Sequence, residues 1–151
     1  MNELGWDNMK YGINQDFTQE VAQYKDLAEK GDESAQFKLG ECYNDGRGVE
    51  QDYAKAVYWF TKSAEQGNSG AQCNLGYCYE FGQGVTQDYA KAVYWYTKSA
   101  EQGNASAQNN LGACYYNGRG VPRDYSKAKY WLQKAAAQGN ENAKKALRDL
   151  F

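Results

Sequence analysis

Apolar and polar positions along this chain follow the spacing of helices that each bury one side. In residues 34–44 an apolar stripe with i, i+4, i+7/i+8 spacing is formed by Ala35, Leu39 and the pair Cys42-Tyr43. In residues 53–65 a second stripe is formed by Tyr53, Ala56-Val57, Phe60 and Ala64. Asp32 and Asp52 precede the two stripes, where an aspartate side chain accepts a backbone N–H and caps a helix. The pattern predicts two helices joined by a loop.

This two-helix pattern recurs every 36 residues. The stretch AQFKLGECYNDGRGVEQDY begins at Ala35, AQCNLGYCYEFGQGVTQDY begins at Ala71, and AQNNLGACYYNGRGVPRDY begins at Ala107. A fixed period of this size is typical of solenoids, in which each unit covers the apolar face of its neighbour. We therefore expect a single all-α domain spanning residues 1–151. It would contain a degenerate repeat (1–30), three full repeats (31–66, 67–102 and 103–138) and a C-terminal capping helix (139–151).

Glycines at one register of the first helix predict close helix packing. Gly40, Gly76 and Gly112 lie mid-helix, where glycine costs roughly 1 kcal/mol relative to alanine. Its recurrence implies that the partner helix approaches closely. Gly46 and Gly48 are expected to end the first helix with positive φ.

Composition narrows the classes of function. The 151 residues are 42% hydrophobic and 24% charged, with a net charge of -2 and no histidine. A folded protein without a basic stripe is expected, so nucleic acid is not a predicted partner. No window approaches the roughly 20 apolar residues of a membrane span, and the first residues do not resemble a secretory signal. A cytoplasmic monomer without metal or other cofactor is the expectation, and secretion of a longer precursor is the alternative.

The four cysteines are expected to be reduced. Cys42, Cys78 and Cys114 occupy one column of the repeat, and equivalent positions of stacked helices lie roughly 8–10 Å apart, too far for a disulfide. Cys73 has no cysteine in its column. Reduced thiols favour a reducing compartment.

The repeat resembles a known family. Its pattern is Ala-x-x-x-Leu-Gly-x-x-Tyr-x-x-Gly-x-Gly-Val-x-x-Asp-Tyr, followed by Lys-Ala-x-x-Trp and Ala-x-x-Gly-Asn. This is similar to the Sel1-like repeat, a relative of the tetratricopeptide repeat with a longer loop between its helices. The resemblance implies an α/α superhelical solenoid of helix-turn-helix repeats, right-handed, that acts as a non-enzymatic adaptor for other proteins. It also implies that the first helices line a concave groove in which a peptide or protein segment binds.

Columns that vary between the repeats mark the candidate binding surface, because constant columns serve packing between units. Four variable columns of the first helix share one helical face opposite the Leu39 stripe. The neighbouring column of Lys38, Asn74 and Asn110 would offer side-chain amides to a peptide backbone. Aromatic side chains among polar ones are the usual anchors of binding surfaces. Solvent exposure alone would also let these columns vary. The predicted partner-binding residues are Phe37, Lys38, Glu41, Asn44, Cys73, Asn74, Tyr77, Glu80, Phe81, Asn109, Asn110 and Tyr116.

Nine of the fourteen tyrosines belong to the constant columns headed by Tyr43, Tyr53 and Tyr58. Because these columns do not vary, we expect their tyrosines to lie in the core.

Two other classes of function stay open. Ser126-x-x-Lys129 matches the Ser-x-x-Lys motif of penicillin-binding proteins and β-lactamases, to which some Sel1-like proteins have been linked. However, Ser-Asp-Asn and Lys-Thr-Gly elements are missing, so no catalytic residue is predicted. A cell-wall or glycan ligand stacking on the aromatic side chains is the other alternative.

Overall fold

The computed structural model describes residues 15–151, and this part of the chain contains eight helices and no strand. The first half of the degenerate repeat expected over residues 1–30 lies outside the described residues. The all-α prediction is confirmed. In chain order the helices are α1 (Gln15–Glu29), α2 (Glu33–Asp45), α3 (Tyr53–Glu65), α4 (Ser69–Phe81), α5 (Tyr89–Glu101), α6 (Ala105–Asn117), α7 (Tyr125–Ala137) and α8 (Glu141–Leu150).

The helix boundaries are set by the expected capping residues. Asp32 Oδ1 accepts the backbone N–H of Ala35 at 2.7 Å, and Asp52 Oδ1 accepts that of Lys55 at 3.0 Å. Asparagine caps the first helix of the third repeat in the same way, since Asn104 Oδ1 accepts the N–H of Ala107. At the other end of α2, Gly46 has a φ of 69° and its N–H donates to the Cys42 carbonyl. Each cap satisfies backbone groups that a helix end would otherwise leave without a partner.

The chain divides into two compact units, Met1–Ala71 and Gln72–Phe151. In the first unit, α2 packs against both α1 and α3. Val21, Ala28, Leu39 and Phe60 are buried there. Helix α1 lies within the degenerate repeat expected over residues 1–30 and contributes two of these core residues, Val21 and Ala28.

The second unit contains most of α4 and all of α5 to α8. Its main core cluster combines Cys73 with side chains of α5 and α6, among them Tyr96 and Leu111. A smaller cluster joins α7 to α8 through Leu132, Ala135 and Ala143. Within this unit, helices that follow each other in the chain therefore pack together, as the two-helix repeat predicts.

The mid-helix glycines are close-approach positions, as expected. A Cβ built on Gly40 would lie 2.6 Å from Cδ1 of Phe60, and one on Gly76 would lie 2.6 Å from Cδ1 of Tyr96. Real Cβ atoms do not come this near to a ring. Glycine at this register lets the second helix of each pair place a large side chain directly against the first.

Glutamine side chains tie the end of each second helix back to its own repeat. In the first unit, Gln66 Nε2 donates to the Gly31 carbonyl at 3.0 Å and to Gln36 Oε1 at 2.8 Å. In the second unit, Gln138 Nε2 donates to the Gly103 carbonyl at 2.8 Å and to Gln108 Oε1 at 2.9 Å. The two sets of bonds have the same sequence separations, 35 and 30 residues.

The expectation that constant tyrosines belong to the core is wrong for two of the three columns. Tyr43 is buried, but Tyr53 is 38% exposed and Tyr58 is 54% exposed, and their later copies are exposed as well. Tyr58 lies two residues from both Ala56 and Phe60, which turns it to the other side of α3. Constancy between repeats therefore does not imply burial in this chain.

Candidate partner-binding surface

Helix α2 carries four of the predicted binding residues, all in the first unit. Phe37 is half-buried, and its ring centroid lies 6.2 Å from that of Phe60. Lys38 Nζ lies 5.6 Å from the centre of the Tyr24 ring. Burial and the nearby Asp45 carboxylate raise the pKa of Glu41.

Asn44, the fourth, donates from its Nδ2 to Asp45 Oδ1 at 3.0 Å, while its carbonyl accepts from Gln51. The backbone of Asn44 therefore also stabilises the loop after α2.

Lys38 and Glu41 also line an open cleft of about 250 Å³ between α1 and α2. Glu20 and Arg47 contribute charges to the same cleft, and the Arg47 guanidinium lies over the Phe17 ring at 5.4 Å. The face that α2 presents is therefore mixed in charge, with one half-buried aromatic ring.

Helix α4 presents the most exposed aromatic pair among the predicted residues. Tyr77 and Phe81 are 48% and 55% exposed, and their ring centroids lie 4.6 Å apart. They stand four residues apart on one helix face, so each ring limits the motion of the other. Asn74, one turn earlier, is half-buried. An apolar side chain of a partner would find a preformed aromatic surface here.

Two predicted residues of α4 make contacts inside the second unit instead. Cys73 lies in the main core cluster, where burial raises the pKa of its thiol to about 11. Glu80 is buried, and the Tyr96 hydroxyl donates to its Oε2 at 2.6 Å. Arg119 Nη1 lies 4.0 Å from Glu80 Oε1. Partner contact by Cys73 and Glu80 stays a prediction, and their observed role is to fix the helix that carries Tyr77 and Phe81.

The Tyr96–Glu80 hydrogen bond was not anticipated from the sequence, although a signal for it exists. Tyr96 stands where the other repeats have Phe60 and Leu132, and Glu80 stands where they have Asn44 and Tyr116. Only this repeat combines a hydroxyl at the first position with a carboxylate at the second. A hydroxyl buried in an apolar core needs an acceptor, so the occurrence of tyrosine and glutamate in one repeat indicates that they form a hydrogen bond.

Helix α6 carries the remaining three predicted residues. Asn109 and Asn110 are half-buried, and a long contact of 3.5 Å joins Asn109 Nδ2 to Asn110 Oδ1. The Tyr116 ring is half-buried, with its centroid 5.0 Å from that of Tyr125 and 5.9 Å from that of Phe151. Tyr116 is thus part of an aromatic cluster within the second unit and offers a partner only its outer edge.

The structure gives no catalytic geometry to the Ser-x-x-Lys match. Ser126 and Lys129 are exposed on α7, and Lys129 Nζ lies 5.9 Å from the centre of the Phe151 ring. Within residues 15–151, no group of histidine, cysteine or acidic side chains is arranged to hold a metal ion. No helix in the described part of the chain is long and apolar enough to cross a membrane.

Comparison with known proteins identifies the repeat. The Sel1 repeat model matches residues 33–68, 69–104 and 105–140, two residues later than the expected boundaries. A comparison with curated protein sequences gave no significant match.

Several solved structures are similar to the chain. The protective antigen c5321 of uropathogenic Escherichia coli, which displays an SLR fold, is 44% identical, with a TM-score of 0.85 over 89% of this chain. The match spans only 29% of the length of that antigen. A Sel1 repeat protein of Oxalobacter formigenes is also 44% identical, with a TM-score of 0.78 over 87% of this chain and 98% of its own.

A more distant structure shares the fold alone. Cysteine-rich protein B of Helicobacter pylori is 23% identical, with a TM-score of 0.67 over 85% of this chain and 95% of its own. Three consecutive repeat matches, the helix pairs with a 36-residue period and the solved structures agree with the resemblance read from the sequence. The chain is a member of the Sel1 repeat family of α/α solenoid proteins.

Proposed function

We propose that this protein binds a segment of a partner protein through the variable face of its first helices, with Tyr77 and Phe81 as the anchor. Sel1 repeat proteins commonly act as protein-interaction scaffolds, and the family is generally non-catalytic. The exposed, mutually packed pair on α4 is the observation that carries the proposal. Rigid aromatic side chains supply large contact area at little entropic cost, so they are frequent hot spots of binding.

The surroundings of the pair indicate the chemistry of the segment. On the variable face of α4, Glu80 is the one acidic side chain, and it is buried against the Tyr96 hydroxyl. What remains accessible beside Tyr77 and Phe81 is the Asn74 amide, so this face is uncharged. A segment with an apolar or aromatic side chain and free backbone amides fits it best. The variable face of α2 in the first unit differs, since it carries the charged residues Lys38 and Glu41.

The test is capture of a native partner by the double variant Tyr77→Ala/Phe81→Ala. Bait protein is incubated with extract of the source cells, and bound proteins are quantified by mass spectrometry. We expect loss of the specific partner by about tenfold or more, as for removal of hot-spot aromatics. The helix content measured by circular dichroism should stay unchanged, since both side chains are exposed.

A matched control removes two tyrosines of a constant column, Tyr53→Ala/Tyr89→Ala, which are 38% and 36% exposed. This control should capture the partner as the parent does. Equal capture by all three proteins would eliminate the α4 pair as the anchor.

A further inference from the structure

Core packing and the proposed anchor do not explain two exposed tyrosines on the second helices of the second unit, Tyr94 and Tyr130. In the second unit, Lys91, Tyr94 and Lys98 on α5 have i, i+3, i+7 spacing and share one face. Lys127, Tyr130 and Lys134 repeat this arrangement on α7. Tyr94 is 54% exposed and Tyr130 is 50% exposed. We refer to these six residues as the lysine–tyrosine strips.

The geometry of the two strips is similar, although Lys134 Nζ also lies 5.6 Å from the centre of the Trp131 ring. Each tyrosine meets the following tryptophan edge to face, with centroids 5.0 Å apart for both Tyr94–Trp95 and Tyr130–Trp131. Lys98 Nζ lies 5.2 Å from the Tyr94 ring centre, and Lys134 Nζ lies 5.1 Å from the Tyr130 ring centre. The ring is thereby fixed, while half of its surface stays in water.

The four lysines of the strips form no ion pair with the described residues, so their ammonium groups can bind an anion. Among the described residues, no acidic side chain lies within ion-pair distance of the four strip lysines. Lys91 and Lys127 instead lie over the rings of Tyr79 and Tyr115, at 5.4 and 5.5 Å. A ring occupies one side of an ammonium group that has three N–H donors, so the others remain for a ligand.

The net charge of the second unit also favours an anionic ligand. Residues 72–151 contain ten basic and six acidic side chains, a net charge of +4, in a chain whose total is -2. Three of the six acids are engaged locally: Glu80 is buried, and Asp88 and Asp124 cap α5 and α7. Residues 72–151 therefore carry a net positive charge although the chain as a whole is slightly negative.

We propose that the lysine–tyrosine strips bind an acidic segment of a partner protein that also contains apolar side chains. Carboxylates of the segment would contact the lysines, and an apolar side chain would cover the exposed ring of Tyr94 or Tyr130. A long polyanion such as nucleic acid fits less well, because the chain as a whole carries a net charge of -2. This binding surface differs from the α4 anchor and does not depend on it.

The probe is a short fluorescein-labelled peptide of glutamate and phenylalanine residues in a glycine–serine background, followed by fluorescence anisotropy with the full chain. We expect saturable binding that weakens as sodium chloride is raised past physiological ionic strength. A peptide with glutamine in place of glutamate should bind at least about tenfold more weakly, since it lacks the charges that the lysines would pair with.

Protein variants locate the binding. The variant K91Q/K98Q/K127Q/K134Q should weaken binding by about tenfold, because four modest exposed ion pairs are lost together. Y94A/Y130A should weaken it by about fivefold through loss of ring contact. The matched control K129Q/K144Q/K145Q/R148Q removes four charges elsewhere in the same unit and should retain the parent affinity.

Three results would overturn the proposal. The first is absence of peptide binding by the parent. The second is equal loss in the strip variant and in the matched control, which would indicate bulk charge alone. The third is tighter binding of a single-stranded oligodeoxynucleotide than of the peptide with the same variants affected, which would assign the strips to nucleic acid.

Discussion

The hydrogen bond between Tyr96 and Glu80 occurs in only one of the three full repeats, at a position where the other two repeats have an apolar side chain. The same pocket against a first-helix glycine holds Phe60 in the first unit and Leu132 at the end of the second, neither of which needs a polar partner. Tyr96 brings a hydroxyl into this apolar site, and the Glu80 carboxylate accepts it at 2.6 Å. The pair forms a buried contact whose two members depend on each other.

Removal of the Tyr96 hydroxyl should destabilise the protein. In Tyr96→Phe, the Glu80 carboxylate loses its shortest donor while remaining buried, so the free energy of unfolding should fall by about 1–3 kcal/mol. Urea denaturation followed by circular dichroism measures the change. The double variant Tyr96→Phe/Glu80→Asn reproduces the combination of Phe60 and Asn44 in the first repeat and should regain part of the loss. A Tyr96→Phe protein as stable as the parent would show that Glu80 has another adequate donor.

At the scale of helices, the glycine register decides how closely a first and a second helix approach. Gly40, Gly76 and Gly112 each face a side chain of the following helix at a distance that excludes a Cβ. Helix propensity opposes glycine at these positions, and packing overrides it. This explains why a residue that weakens an isolated helix is retained in all three full repeats.

Gly40→Ala should destabilise the first unit although alanine is the better helix former. The added Cβ would lie 2.6 Å from two atoms of the buried Phe60 ring, and the resulting shift should cost about 1–3 kcal/mol, more than the gain in helix propensity. Ser34→Ala is the matched control, since it adds helix propensity to the exposed side of α2 without a clash. Thermal unfolding should rank the control at or above the parent and Gly40→Ala below it. The reverse order would mean that α3 can move away from α2 with little loss in the free energy of unfolding.

At the scale of the whole molecule, the buried thiols and the Tyr96 hydroxyl link stability to alkaline pH. Burial raises the pKa of Cys73 and Cys78 to about 11 and that of Cys114 to about 12, and it also raises the pKa of Tyr96. In the unfolded chain a thiol ionises at about pH 8.5 and a tyrosine at about 10. Above these values the unfolded state has lost protons that the native state still holds, so unfolding becomes easier.

The free energy of unfolding should therefore be insensitive to these groups at neutral pH and fall steadily as pH rises above about 8.5. Urea titrations at a series of pH values measure the slope. The variant Cys73→Ala/Cys114→Ala should be less stable at neutral pH, because it removes buried volume, yet show a shallower decline. Identical slopes for parent and variant would contradict this linkage.

Most of the fold could be predicted from the sequence, because the period, the caps and the glycines repeat in register. Asp52 as an N-cap and Gly40 as a close-approach site required only local rules. The candidate surface was harder to predict. Column variation grouped Tyr77, which is exposed, with Cys73, which lies in the core, because one helix viewed alone does not show where its neighbours in the unit pack. The constant column of Tyr58 was predicted to lie in the core, but Tyr58 is exposed. A residue that recurs in every repeat can therefore lie at the surface.

The glutamine contacts carry a consequence for how such a chain changes length during evolution. The bonds of Gln66 to Gly31 and of Gln138 to Gly103 join residues at the same separation, so each repeat brings its own donor and acceptors in one segment of sequence. Duplication of a full 36-residue segment adds a complete donor–acceptor set and loss of one removes a complete set, whereas insertion of a single residue between a donor and its acceptors changes their separation in that repeat. Gene-level change by whole modules is therefore the route that this hydrogen-bond register permits.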